Sequence, residues 1–347
     1  MGKVEKIWDN SVLTNMGPLH NEFEQALRLC FGWENVSLFT NGHLALEIAL
    51  KALDLKSGSE IITTPFTFVS TVSSIVNQGY IPVFCDVRDD CTIDAEQIES
   101  LITPNTAAIL PVHVYGFPCD VERIDEIAKK HDLMVLYDAA HAVGVRVKGK
   151  DISQHGDASM FSFHATKLFN TIEGGALVYK DATLKTSIDL LKNFGISGPE
   201  TIDLVGLNAK MNEFQAAMGL TVLPHLDEII ARRKEIYERY VHNLSDVQGM
   251  KVFPMQNEHI EFNYAYMPVL IEKKRSEIFE CLVKNNIFAR KYFYPCLTKV
   301  ECYRKYQNSD STMKAELAAE QALCMPIYPE LPLEQVDRIC KIIRETI

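Results

Sequence analysis

Short apolar runs bounded by turn residues recur through the first half of the chain: EIITT (60–64), IPVFCDV (81–87), AAILPVHV (107–114), LMVLYDA (133–139), SMFSFH (159–164) and GALVYK (175–180). Their length and β-branched or aromatic content predict strands. Between the first four lie VSTVSSIVNQG, AEQIESLI and VERIDEIAKKHD, each spaced as a helix. Strands alternating with helices predict an α/β fold with a mostly parallel sheet covered on both faces. LMVLYDA is apolar nearly throughout, as a strand buried on both sides must be. From Lys210 to about Leu244 the period becomes helical, and Pro224 is expected to break the run between MNEFQAAMGLTVL and HLDEIIARRKEIYERYVHNL. Beyond it KVFP, YAYMPVLI and NNIFARKYFYP alternate with helical segments such as KRSEIFECLVK. The reading is a large domain over 1–235 and a smaller C-terminal α/β domain over 236–347.

Composition narrows the function classes. The chain has 347 residues, 47% apolar and 23% charged, which suits a globular enzyme. A net charge of −11 argues against binding nucleic acid, whose phosphates need a basic surface. It leaves room for a small anionic substrate held by a few local donors. No apolar run approaches a bilayer span, and MGKVEKIWDN lacks the apolar core of a signal peptide, so membrane association is not expected and a cytoplasmic location is. Nine scattered cysteines with no CxxC pair read as reduced thiols, and the ten histidines form no metal-ligand pattern.

Three stretches carry chemistry. TNGHLALEIALKAL (40–53) places Leu46, Ala49, Leu50 and Leu53 on one stripe, with Asn41 and Gly42 as caps. Such a helix start offers free N–H groups and a positive dipole end to an anion, though an ordinary capped helix looks the same. In LYDAAHAVG (136–144), Asp138 comes at the end of a buried strand, where open α/β sheets place ligands. A carboxylate there needs a partner, and a structural salt bridge serves as well as a ligand. In FSFHATKLFNTIEGGA (161–176), Lys167 stands between a buried strand and a glycine pair. Alone it reads as a surface lysine near a turn; if buried, it shifts toward the neutral, nucleophilic amine. The glycine pair would let backbone approach a bulky flat group closely. An anion-binding helix start, a strand-end acid, a lysine and the aromatics of PFTF (65–68) together match what pyridoxal phosphate requires.

The same blocks resemble the DegT/DnrJ family of sugar-nucleotide aminotransferases, which have the aspartate-aminotransferase fold (fold type I). The resemblance runs nearly end to end, through MGPLHNEFEQALRLCFG, TNGHLALEIALKAL, TTPFTFVSTVSSIVNQGYIPVFCDV, LYDAAHAVG, SFHATKLFNTIEGGALV and GLNAKMNEFQAAMGL. It implies that Lys167 forms the internal aldimine and shuttles the proton between substrate and cofactor. Asp138 would keep the pyridine nitrogen protonated, and His141 would sit beside the phenolic oxygen. Phe68 and Ala140 would sandwich the ring, while Asn41, Gly42, His43 and Ser162 would bind the phosphate. Asn208 would reach that phosphate from a neighbouring subunit, making the working unit a homodimer with shared sites. His43 stands where many members carry Thr, and His141 replaces a glutamine common in other branches.

What the resemblance implies for activity is amino transfer from L-glutamate, which leaves as 2-oxoglutarate and converts the cofactor to pyridoxamine phosphate. The acceptor would be a nucleotide-linked 4-keto-6-deoxy sugar. FHATKLFNTIEGGA and ARKYFYP are similar to the VioA-type branch, whose product is dTDP-4-amino-4,6-dideoxyglucose for surface polysaccharide. Tyr292 and Tyr294 are candidates for the sugar-nucleotide side, and Lys192 for a diphosphate. A 3-keto sugar, a GDP- or UDP-linked sugar, and a non-catalytic cofactor-binding regulator are the alternatives. Sugar dehydratases of the fold carry histidine in place of the lysine, so Lys167 argues against them.

Overall fold

The computed structural model describes residues 2–307 and 312–347. Its main sheet contains β1 (Val36–Phe39), β2 (Glu60–Thr63), β3 (Ile81–Phe84), β4 (Thr106–Leu110), β5 (Met134–Asp138), β6 (Ala158–Ser162) and β7 (Gly175–Tyr179). Their order is β1-β7-β6-β5-β4-β2-β3. Strands β6, β5, β4, β2 and β3 are parallel, and β7 runs antiparallel to both its neighbours. The reason lies in the connections. Helices link β2 to β3, β3 to β4 and β4 to β5, and segment 139–157, with a short hairpin and a 3₁₀ turn, links β5 to β6. By contrast, β6 returns directly to β7 through loop 163–174, which holds no helix. That loop carries Lys167.

Two expected strands are shorter than their apolar runs. IPVFCDV is strand only to Phe84 and AAILPVHV only to Leu110, each with one isolated bridge further on, Val87 to Ile93 and Val112 to Asp138. In the second, Pro111 has no N–H to donate to a ladder, and the chain leaves the strand there. Its carbonyl still accepts from Asp138 N–H at 2.9 Å, and His113 N–H donates to the Asp138 carbonyl at 3.0 Å. The end of β5 is thereby pinned. VSLF, which forms β1, escaped the sequence reading because four residues show no period.

The Lys167 loop is held from below. Phe163 and Phe169 are fully buried, meet edge-on at 5.0 Å, and both pack on Phe23. Each such ring contributes about 2–3 kcal/mol of burial. Phe163 N–H donates to Gly174 O and Thr171 N–H to Phe163 O, both at 2.8 Å. A Cβ on Gly174 would lie 1.9 Å from Thr171 Oγ1, so only glycine closes this loop.

As expected, Pro224 separates two helices, Glu213–Val222 and Leu226–Leu244, by a single 3₁₀ turn. The expected domain division at 235/236 falls inside the second of these. Leu226 belongs to the large core, while Ile236, Tyr237, Tyr240 and Leu244 join a second apolar cluster. That cluster covers β8 (Met250–Val252), β9 (Met267–Ile271) and β10 (Ala322–Met325), an antiparallel sheet of order β8-β9-β10. NNIFARKYFYP forms no strand; apart from one bridge between Arg290 and Cys324 it runs as a loop beside β10. All nine cysteines are free, and no helix among the described residues is long and apolar enough to cross a membrane.

Candidate active site

Because the strands run parallel, the C-terminal ends of β1, β5 and β6 gather at one edge of the sheet. A cavity of about 580 Å³ opens there. Asn41, Gly42, His43, Phe68, Asp138, Ala140, His141, Ser162, Lys167 and Tyr292 all line it, so residues spread over most of the chain meet at one place.

Asp138 is 4% exposed. Its Oδ2 accepts from Thr71 Oγ1 at 2.8 Å and its Oδ1 from Ala140 N–H at 3.1 Å. No cation lies within ion-pair distance among the described residues, and burial raises its pKa above the usual carboxylate range. A protonated ring nitrogen would supply the missing counter-ion, which fits a pyridine cofactor. His141 is buried too, and burial holds it neutral, well below its ordinary pKa. Its Nδ1 accepts from Tyr115 N–H at 3.0 Å, which leaves the proton on Nε2. Tyr115 reaches that position with φ at +61°, a left-handed conformation that turns its N–H onto the ring.

Lys167 Nζ donates to Tyr266 Oη at 3.3 Å. Burial lowers its pKa from 10.5 to about 8, with Asp138 pulling the other way. The amine therefore has a far larger neutral fraction near physiological pH than an ordinary lysine, and the neutral form is the nucleophile.

At the opposite end of the cavity, Asn41 Oδ1 accepts from Leu44 N–H at 2.9 Å and caps the helix Gly42–Ala52. The N–H groups of Gly42 and His43 stay free of helical acceptors, as first-turn donors do. The imidazole of His43 is engaged elsewhere, with Ser70 at 2.8 Å, Ser74 at 3.2 Å and Glu47 at 3.3 Å. Its contribution to an anion is the main-chain N–H. A Cβ on Gly42 would come within 3.0 Å of Met160 Sδ and Ser162 Cβ, and one on Gly175 within 2.7 Å of Gly42 N. This corrects the expected role of the glycine pair: Gly174 and Gly175 admit the Asn41–Gly42 backbone and the loop itself, not a flat ligand.

Three expected residues stand outside the cavity. Lys192 is fully buried, ion-paired to Asp189 at 2.7 Å, and lines no cavity, so it is not available to a diphosphate. Nor is it an exposed lysine; the C-cap position of helix Leu184–Leu191 draws it inward. Tyr294 packs its ring against Arg275 at 4.7 Å, away from the cavity. Asn208 accepts from Lys210 Nζ at 2.6 Å on the exposed surface. Residues missed by the sequence reading are Thr71, Tyr115, Tyr266 and Phe293. Phe293 stacks on His141 with rings nearly parallel at 5.8 Å, and Tyr266 meets His141 at 4.7 Å. Thr71 sits on a helix and the aromatics on loops or before a strand, where no motif marks them.

Residues 1–344 match the DegT/DnrJ/EryC1/StrS aminotransferase family. The chain belongs to this family. Its aminotransferases depend on pyridoxal phosphate, and the cavity described above suits that group. A dTDP-4-amino-4,6-dideoxy-D-glucose transaminase of Shigella dysenteriae is 42% identical over 347 residues, covering 99% of this chain and 94% of that protein. Among solved structures, DesI in the presence of its TDP-sugar product aligns with a TM-score of 0.93 at 33% identity, over 99% of this chain and 88% of that one. DesV of S. venezuelae, in complex with a ketimine intermediate, aligns with a TM-score of 0.92 at 28% identity, over 99% and 93%.

Proposed function

We propose that this aminotransferase moves the amino group of L-glutamate to carbon 4 of dTDP-4-dehydro-6-deoxyglucose, giving dTDP-4-amino-4,6-dideoxyglucose for surface polysaccharide. The reading rests on one observation above all: Lys167, Asp138 and His141 share a cavity in a chain this similar to the Shigella dysenteriae transaminase. Pyridoxal phosphate, when bound, supplies an electron sink for the charge left as a proton leaves the amino-bearing carbon.

The chain supplies everything else. Lys167 would hold the cofactor through its ε-amine and, once displaced, take and return that proton at Nζ. Asp138 would keep a proton on the ring nitrogen, because its buried carboxylate has no ion-pair partner among the described residues. His141 would donate from Nε2 to the phenolic oxygen, since the Tyr115 N–H on Nδ1 fixes the tautomer. Asn41, Gly42, His43 and Ser162 receive the phosphate, the first three by way of the helix start. Phe68 and Ala140, which line the cavity, would bound the ring on its two faces.

We further read the working unit as a cytoplasmic homodimer. Asn208 lies outside its own chain's cavity, and exposed apolar residues such as Ile172 (61%) and Val205 (84%) favour a covering second copy. Asn208 would then complete the neighbour's phosphate site. The test is to combine enzyme, cofactor, L-glutamate and dTDP-4-keto-6-deoxyglucose. Formation of 2-oxoglutarate and the 4-amino sugar is expected. Acceptance of only GDP- or UDP-linked keto sugars would overturn the nucleotide, and no exchange of cofactor absorbance on adding glutamate would overturn the reaction.

A further inference from the structure

A second cavity, of about 1000 Å³, lies between the small domain and the helices on either side of Pro224. Thr166, Lys167, Tyr266 and Tyr292 line both cavities and so form the partition between them. Two guanidinium groups on the second cavity's wall have donors to spare. Arg233 is 5% exposed; its Nη1 donates to the carbonyls of Tyr264 and Ala265, and its Nε has no acceptor among the described residues. Arg290 has its backbone clamped to Cys324 by hydrogen bonds of 2.9 and 2.7 Å. Its guanidinium is exposed and has no hydrogen-bond or ion-pair partner among the described residues. Both groups share this cavity with Tyr266, whose phenol is 3.3 Å from Lys167 Nζ.

The other charges in the cavity are committed or opposed. Arg232 donates to Glu235 and to the Pro329 and Leu331 carbonyls, and Arg338 to Gln335 and the Asn285 carbonyl. His225 pairs with Glu228 at 3.2 Å, and Glu330 lines the same space. What remains is the free guanidinium of Arg290 and the open Nε of Arg233, on the wall of a cavity that Lys167 also lines, and a planar guanidinium fork matches a carboxylate.

We propose that Arg290, backed by Arg233, docks the distal carboxylate of the amino donor. The inference rests on the reading above that the donor is L-glutamate. In that molecule a two-carbon spacer joins the amino-bearing carbon to the distal carboxylate, so the carboxylate must dock close to Lys167. A sugar diphosphate is held off from carbon 4 by the whole pyranose ring, and its larger charge would face Glu228 and Glu330.

Arg290→Gln in the holoenzyme is the test, because an exposed side chain can be changed without disturbing the core. The glutamate half-reaction and the keto-sugar half-reaction are followed separately through the cofactor's absorbance. The KM for glutamate should rise about ten- to hundredfold, the loss expected for one charge-assisted contact. Arg290→Lys should recover part of it. L-Norvaline, which lacks the distal carboxylate, should react at the same rate in variant and wild type, and the keto-sugar KM should stay near its original value. In the cofactor-free protein, calorimetry with succinate should show binding that the Gln variant weakens. An unchanged glutamate KM, equal succinate binding, or a rise confined to the keto-sugar KM would overturn the proposal while leaving the transaminase reading intact. Failure of the wild type to react with glutamate would remove both.

Discussion

The two sides of the catalytic cavity are built by different means. On the large-domain side, Asn41 follows β1, Asp138 ends β5 and Ser162 ends β6, so strand hydrogen bonds set each position. Lys167 hangs on a loop tied at both ends and floored by phenylalanines. On the small-domain side, Tyr266, Tyr292 and Phe293 are presented by irregular segments held by aromatic packing and by hydrogen bonds to single side chains. Phe293 also stacks on Tyr115, whose hydroxyl donates to the Tyr292 carbonyl. The backbone-built side therefore tolerates little change without losing the chemistry. The packing-built side can change one ring at a time.

The largest effect should come from the backbone-built side. Lys167→Ala is expected to lower transamination by about 10⁴-fold or more, since no neighbouring amine can move the proton. Steady-state rates with glutamate measure it, and near-normal turnover would end the division of labour described above. The same lysine gives a pH signature in the cofactor-free protein. Between about pH 8 and 10.5 the native amine is deprotonated while the unfolded one still holds its proton. The unfolded state then binds more protons, so this contribution to stability grows as pH rises through that window and is lost as pH falls back to about 8. Comparing denaturant midpoints of wild type and Lys167→Met across the window reads this; parallel curves would mean that the amine is solvated.

Gly175→Ala should have a smaller but still clear effect. Its new Cβ would meet Gly42 N at 2.7 Å and Asn41 C at 2.8 Å, both backbone atoms with little room to yield. Overpacking of this kind costs about 1–3 kcal/mol. The strain falls on the helix start that receives the phosphate, so pyridoxal phosphate affinity should drop along with the melting temperature. A variant that loses stability but keeps full cofactor affinity would show that the cradle does not depend on this close approach.

The same contrast decides what could be read from the chain. Strand ends leave short motifs, because a buried strand must be apolar to its last residue and then turn polar where it meets the ligand, as LMVLYDA does at Asp138. The fold class and the place of Asp138 were legible for that reason, the Pro224 break from proline's missing N–H, and the grouping of Lys167 with Asp138 and His141 from the family resemblance. Tyr266 lies one residue before β9, where any apolar side chain would satisfy the pattern, and Thr71 sits within a helix whose period does not distinguish it from Ser73 or Ser74. Lys192 misled because composition cannot report burial: its hydrophobic neighbours in DLLKNFG suit a helix end equally whether the amine points in or out. Whether a side chain faces a cavity depends on tertiary packing, and that has no local signature.

The finest test addresses a single contact on the packing-built side. Tyr266 keeps its phenol protonated, because burial pushes its pKa well above the ordinary value. It accepts from Lys167 Nζ, and such an acceptor would favour the charged amine, as the attraction of Asp138 does. Tyr266→Phe removes that acceptor and leaves the ring packing with His141 and Tyr292 in place. A neutral-partner hydrogen bond of this length is worth about 0.5–1.5 kcal/mol, so kcat should fall about three- to tenfold. The amine of the cofactor-free protein should also titrate lower than about 8, because its charged form has lost a partner. Rates of reductive methylation at Lys167 against pH, followed by mass spectrometry, give that midpoint directly. An unmoved midpoint with reduced kcat would mean that Tyr266 acts on the substrate rather than on the lysine.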